Sequence, residues 1–293
     1  MAKTTYIIPV WSTDVYAKQV KKQLMEQGVA EENIIFTTEK ISRAVSLNKA
    51  IKDIKTEYVG IFDDDVMLAP NVVATLEDLL DRNLKIGFAI APVQQMDELA
   101  VPKPDLPDSA PDSQSLENQS AKMWTFNACL YRKSCGVVLD EDLFGAQLQD
   151  WDLGLELLYK GYLSIADHRT AVAHKKTFFD KKSLTYHGII SRNRQIFMTK
   201  WKDRDNWTNV ADHNKKNNNE IPTLEELTHW NEDRLIEYIA KYDKFGLAEC
   251  YFNPRFGSNE KLNQWLASTS AKINQTEQIF NPKITDMSSI PRF

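Results

Sequence analysis

Tyr58-Val59-Gly60-Ile61-Phe62-Asp63-Asp64-Asp65-Val66 decides the reading of this chain. Five residues of strand character run straight into three consecutive aspartates. A short apolar run built from aromatic and β-branched side chains predicts a buried strand. Three carboxylates at its end repel one another, and each is costly in a strand-end cleft unless a cation shares the space. The triplet reads either as a divalent-metal site offering hard oxygen ligands or as a solvated acidic turn.

Outward from this stretch the pattern alternates. On the N-terminal side Tyr6–Val10 predicts a first strand and Asn33–Phe36 a second. Between them Ser12, Thr13 and Asp14 offer caps for a helix with Val15, Val20 and Leu24 inward, stopped by Gly28. Ser42 can cap a helix with Val45, Ala50, Ile51 and Ile54 at core spacing. On the other side Pro70 and Asn71 start a helix carrying Val72, Val73, Leu76, Leu79 and Leu80, and Ile86–Pro92 predicts a fourth strand. Strand–helix alternation of this kind implies right-handed crossovers and a mostly parallel α/β sheet flanked by helices. Ligands in such sheets sit beyond the carboxyl ends of the strands, where the aspartates fall.

Residues 94–122 change character, with four prolines among Asp97, Glu98, Asp105, Asp108, Asp112 and Glu117. They read as a mobile loop or lid, or as a passive solvated insertion. The pattern recovers with a strand near Thr125–Tyr131, a helix over Leu148–Lys160 ended by Gly161, and a strand at Tyr162–Ala166. Beyond Asp203 the chain turns polar and asparagine-rich. Thr223 and Glu226 then form a capping-box pattern, and Leu235, Ile236 and Ile239 stand at core spacing. The expected organisation is a domain over 1–203 and an appended C-terminal helical region over 204–293.

Composition narrows the function. The 36 basic and 41 acidic residues give a net charge of −5, which argues against a broad face for nucleic acid or an anionic membrane. Apolar runs such as Tyr6–Trp11 fall far short of the ~18 residues of a membrane span, and no signal peptide opens the sequence. Cys129, Cys135 and Cys250 form no C-x-x-C pair and an odd one must stay unpaired, so a cytoplasmic setting is expected. The nearest two of the ten glycines, Gly154 and Gly161, stand seven apart. No G-x-G-x-x-G, P-loop or G-x-S-x-G can be built from them. A phosphorylated ligand would be met here by side chains or a metal.

Two further features could carry chemistry. In Gln149-Asp150-Trp151-Asp152 an acid falls near a helix start, where the dipole is expected to lower its pKa and suit it as a general base. One of the two aspartates could instead cap the helix, and Asp152 is the candidate for that. His174 follows the strand-like Thr170–Ala173 and could complete a metal shell or simply pack. Lys175, Lys176, Arg192 and Arg194 could meet diphosphate charge or form a solvated basic face.

Taken in order, these segments resemble the inverting nucleotide-sugar glycosyltransferases of glycosyltransferase family 2, with the GT-A fold. The resemblance covers about residues 4–202. It rests on Ile7-Ile8-Pro9-Val10, on Ser42–Asn48, and on the Tyr58–Val66 stretch as the family's strand and D-x-D. It rests also on Asp140–Phe144 through Gln149–Leu155 to Lys160-Gly161-Tyr162 as the E-D-x-D block, followed by His174. The resemblance implies Mn2+ or Mg2+ bridging the D-x-D to the diphosphate of a UDP-, GDP- or dTDP-sugar. It implies Asp63, Asp65 and His174 as the metal group and Asp150 as the base. It places Pro9, Val10, Trp11, Arg43, Asn48, Asp63 and Asp64 on the nucleotide-sugar side. The acceptor would be a saccharide or another hydroxyl, and the helical region a possible site of homo-oligomer contact. Two departures stand out: Gln149 replaces the usual Glu, and Phe36-Thr37-Thr38-Glu39 lacks the usual acidic–glycine turn. Three rival readings remain: a nucleotidyltransferase, disfavoured by the glycine spacing; a non-catalytic nucleotide-sugar-binding or assembly protein, which would need no base; and transfer to a nucleic-acid acceptor through Lys and Arg in 192–204.

Overall fold

The computed structural model describes residues 2–10, 14–38, 42–96, 100–104, 126–145, 148–175, 184–218 and 220–242. Contacts divide the chain into two compact units, Met1–Thr177 and Phe178–Phe293. The first is a mixed α/β unit. Its strands are β1 (Thr4–Pro9), β2 (Ile34–Thr37), β3 (Tyr58–Phe62), β4 (Val66–Leu68), β5 (Ile86–Ile90), β6 (Val93–Met96), β7 (Ala128–Arg132), β8 (Leu163–Ala166) and β9 (Val172–Lys175). Its helices are α1 (Asp14–Glu26), α2 (Arg43–Asp53), α3 (Val72–Arg82) and α4 (Gln149–Tyr159).

Six strands form the central sheet in the order β2-β1-β3-β7-β5-β8. The pairs β1–β2, β1–β3 and β5–β8 are parallel, and β7 alone runs antiparallel to both its neighbours. Strand alternation sends side chains to two cores, one on each face. Tyr6, Ile8, Tyr58 and Phe62 pack with Val20 and Leu24 of α1 and Leu76, Leu79 and Leu80 of α3. Ile7, Val59 and Ile61 pack with Leu47 and Ile51 of α2 and Leu153 and Leu157 of α4. Gly60 is required at the centre of β3, because a Cβ there would lie 2.6 Å from the Tyr6 ring and 2.9 Å from Leu130.

Several expectations need correction. On α1 the inward stripe is Ala17, Val20 and Leu24, while Val15 is 71% exposed. Five residues separate Val15 from Val20, about 140° around a helix, so both cannot face the core. On α2 the buried apolar residues are Ala44, Leu47 and Ile51, and Val45 and Ala50 are only partly buried. Ser42 occupies the N-cap position of α2, but its hydroxyl makes no cap hydrogen bond. Residues 94–96, read as the start of a loop, belong to β6, which pairs in parallel with β9. Residues 97–99 and 105–122 of that stretch lie outside the described residues.

β4, β9 and β6 make a second, three-stranded sheet in that order. The antiparallel β4–β9 register sets Val66 opposite His174. The sequence showed no sign of β4, a strand of three residues.

The second unit is helical in its described part: α5 (Leu184–Lys202), α6 (Val210–Lys216), α7 (Leu224–His229) and α8 (Glu232–Tyr242). Leu227, Leu235, Ile236 and Ile239 form its core, with Leu184 and Ile189 of α5 packed against them. α5 packs with α7 and α8 and belongs to this second unit. The Thr223–Glu226 capping box is present with both of its bonds. Residues 243–293 lie outside the described residues. Among the described residues no helix is long and apolar enough to cross a membrane.

Candidate active site

The acidic triplet leaves the carboxyl end of β3, and each member meets a different environment. Asp63 is clamped by Asn127, whose carbonyl accepts the Asp63 backbone N–H at 3.0 Å and whose amide donates to Oδ2 at 2.9 Å. The other carboxylate oxygen, Oδ1, accepts from Arg43 Nη2 at the start of α2. Burial pushes the Asp63 carboxyl above its ordinary pKa, with Arg43 pulling down and Asp65 adding to the rise. Asp64 is buried, at 5% exposure. Asp65 sits with its Oδ1 3.3 Å from His174 Nε2.

That last contact follows from the small sheet. β9 runs beside β4, and the register that sets Val66 opposite His174 delivers the imidazole next to Asp65. The turn before β9 is held firmly. Asp167 and Arg169 pair at 2.6 Å, Arg169 reaches Asp78 at 3.1 Å, and Asn71 donates to the Arg169 carbonyl at 3.0 Å. Asp63, Asp65 and His174 each offer a ligand atom, and these atoms all lie within 4.8 Å of one another. Two half-buried carboxylates and one imidazole form a donor set that fits a divalent cation. The nitrogen among the oxygens suits Mn2+ better than Mg2+, which prefers oxygen throughout.

Asp150 lies in the first turn of α4, half-buried, with Oδ1 accepting the Trp151 backbone N–H at 2.9 Å. Its pKa was expected to fall at a helix N-terminus. Instead burial pushes it up to about 7, outweighing both the Arg43 charge and the backbone N–H, with Asp63 adding a further rise. Arg43 is therefore the cation felt by both carboxylates. Arg43 is 6% exposed, and its guanidinium lies over the Phe126 ring, 5.1 Å from the centroid. Asp152, expected as the cap of this helix, lies inside the first turn at 1% exposure, because the helix already begins at Gln149. Gln149 turns inward and donates to the Leu143 carbonyl at 2.7 Å.

The structure thus brings together Asp63, Asp65 and His174, and links Arg43 to Asp63 directly and to Asp150 electrostatically. Pro9 is buried at the end of β1. Val10 is partly buried, its N–H donating to the Thr37 carbonyl at 2.8 Å. Asn48 is engaged elsewhere: its amide donates to the Leu139 carbonyl at 2.9 Å and to Glu141 at 3.0 Å, and its Oδ1 accepts the Leu139 N–H at 3.0 Å. Trp11 lies outside the described residues. Asn127, which the sequence reading missed, has no motif to announce it. The one available signal is its place immediately before the apolar run Ala128–Tyr131.

No protein-family model matches the chain, and no curated protein matches it in sequence. Among solved structures it aligns with the mannosyltransferase PcManGT from Pyrobaculum calidifontis in complex with GDP-Man and Mn2+. That alignment has 11% identity and a TM-score of 0.46, covering 93% of this chain and 80% of that one. S. aureus TarS 1-349 in complex with UDP-GlcNAc aligns at 11% identity and a TM-score of 0.49, over 93% of this chain and 81% of that one. GalNAc-T7 with UDP, GalNAc and Mn2+ aligns at 10% identity and a TM-score of 0.45, over 99% of this chain and 58% of that one.

Proposed function

We propose that the chain is a metal-dependent, inverting glycosyltransferase that moves a sugar from a nucleotide-sugar to a hydroxyl acceptor. One observation carries the reading. At the carboxyl edge of a mostly parallel sheet, a cation-ready group (Asp63, Asp65, His174) sits near a separate carboxylate, Asp150, that titrates close to neutrality. A purely binding role would not need a base held apart from the cation group.

The chemistry follows from these positions. Asp65 and His174 would hold a divalent cation, with Asp63, tied to Arg43 and Asn127, contributing beside them. When bound, the cation supplies positive charge for the departing diphosphate. Arg43 brings a second, permanent positive charge to the same edge. Asp150 takes the proton of the acceptor hydroxyl. That oxygen forms a bond to the anomeric carbon while the bond from this carbon to the diphosphate oxygen breaks. A single displacement inverts the anomeric centre. Pro9, Val10, Trp11 and Asp64 border the nucleotide in this reading. Asn48 acts one step removed, by holding the segment at Leu139.

A thermal-shift series tests the proposal. UDP, GDP and dTDP are each added at a hundredfold their dissociation constants, with Mn2+ or with EDTA. The cognate diphosphate should add about 2.7 kcal/mol of stability with Mn2+ and much less with chelator. A melting temperature unmoved by all three diphosphates with Mn2+ overturns the reading.

A further inference from the structure

The residue before Asp150 departs from the pattern the chain otherwise follows, and the structure gives that departure a task. Leu148 has a backbone φ of +69°, a left-handed conformation that leucine rarely adopts. This kink turns the chain into α4, where the Leu148 carbonyl accepts the Asp152 N–H at 2.8 Å. Gln149 then points into the unit at 1% exposure, its Nε2 donating to the Leu143 carbonyl at 2.7 Å in a buried bond. Its Oε1 is also buried and has no hydrogen-bond partner.

Leu143 ends a short turn in which its N–H donates to the Asp140 carbonyl at 3.2 Å and the Asp142 N–H to Asp140 Oδ1 at 3.0 Å. Asn48 of α2 grips the other end of this segment through both backbone groups of Leu139. The strap Leu139–Leu143 is therefore pinned at one end to α2, which carries Arg43, and at the other to the first residue of α4. Successive helical residues differ by about 100° in direction. Fixing Gln149 inward thus fixes Asp150 a little over a quarter-turn away, within the field of Arg43.

We infer that Gln149 is a positioning residue, whose neutral amide ties the start of α4 to the Leu143 carbonyl and so sets the place of Asp150. The inference rests on Asp150 being the base of the proposed reaction. The amide donates to this carbonyl at every pH, whereas a buried glutamate could do so only while it held a proton.

The test uses the full chain and the nucleotide-sugar, from a UDP-, GDP- and dTDP-sugar panel with Mn2+, that the wild type turns over. Gln149→Glu removes the donor and adds charge, and Gln149→Met removes the donor alone at similar volume. Both should lower kcat by roughly tenfold to a hundredfold, the penalty for a displaced reacting group. The KM for the donor and the calorimetric affinity for the matching diphosphate with Mn2+ should stay within about twofold, because the metal group is untouched. Leu157→Ala, a cavity on the inner face of the same helix, controls for stability: it should lower the melting temperature while keeping kcat. Unchanged kcat in both Gln149 variants overturns the inference and leaves the proposed function standing. A fall in kcat matched by Leu157→Ala at equal loss of melting temperature also overturns it. A wild type that turns over no donor overturns the proposed function, and this inference falls with it.

Discussion

Asp150→Asn is expected to abolish most sugar transfer and yet make the metal-free protein more stable at pH 8. The two effects share one cause. An asparagine keeps the shape and still accepts the Trp151 N–H, but it takes no proton. A general base contributes ~10²–10⁴-fold, about 3–5 kcal/mol at 1.36 kcal/mol per decade. The stability effect runs the other way because burial raises the folded-state pKa to about 7 from an ordinary 3.8. Between those values the folded protein holds a proton that the unfolded chain releases. Stability from this group is then greatest below the unfolded pKa and falls as pH rises toward the folded one, by up to ~1.4 kcal/mol per pH unit. Above pH 7 the wild type carries that full penalty and the variant carries none. Had Asp150 been only a helix-end ligand, the variant would keep its turnover and lose little stability, since asparagine caps a helix about as well as aspartate. Rates at saturating donor, and melting curves in EDTA at pH 5 and pH 8, separate the two. More than about a tenth of wild-type turnover, less loss than a general base supplies, would remove Asp150 from the reaction.

Asp65→Asn should weaken Mn2+-dependent diphosphate binding at least a hundredfold, more than Asp63→Asn does. Partners that merely orient a metal's ligands already cost 10–100-fold when lost. Both oxygens of Asp63 are occupied by Arg43 and Asn127, whereas Asp65 faces His174 across 3.3 Å. An amide at 65 keeps one oxygen but removes the negative charge that holds a divalent ion against water. Calorimetry with UDP, GDP or dTDP in Mn2+ reads the change directly. Equal affinity in chelator and in Mn2+ for the wild type would show that the acidic turn holds no cation.

How far the sequence reached depended on the length of each signal. The alternation of strand and helix over the first ninety residues was legible because each element carried several apolar positions at one period. The acidic triplet and His174 could be placed in one site only because their order along the chain resembles that of the family 2 glycosyltransferases. The device that joins them, β4 against β9, was beyond reading, since a three-residue strand has no period. Asn127 was invisible for a related reason: its role comes from register with β3, between residues more than sixty apart. The Asp150 pKa went the wrong way because a dipole can be guessed from position while burial cannot. In α1, the assignment of Val15 to the core counted hydrophobic residues without counting turns.

The antiparallel strand β7 has a consequence for how the molecule comes to be folded. It lies between β3 and β5, so within the sheet the halves β2-β1-β3 and β5-β8 are joined through it. Its pairing with β3 joins Phe62 to Ala128 and Tyr58 to Arg132, which closes a long loop before any contact repays the cost. Until residues 128–132 have been made, the inner edge of β3 has no partner in the sheet. The clamp of Asn127 on Asp63 is made in that same event, so the acidic turn takes its final form only as the sheet closes. A chain cut just before β7 should show this in hydrogen exchange, with the β3 amides facing β7 as open as those of a free edge. The aspartates that open the reading of the sequence thus take their final form only when a residue more than sixty positions away arrives.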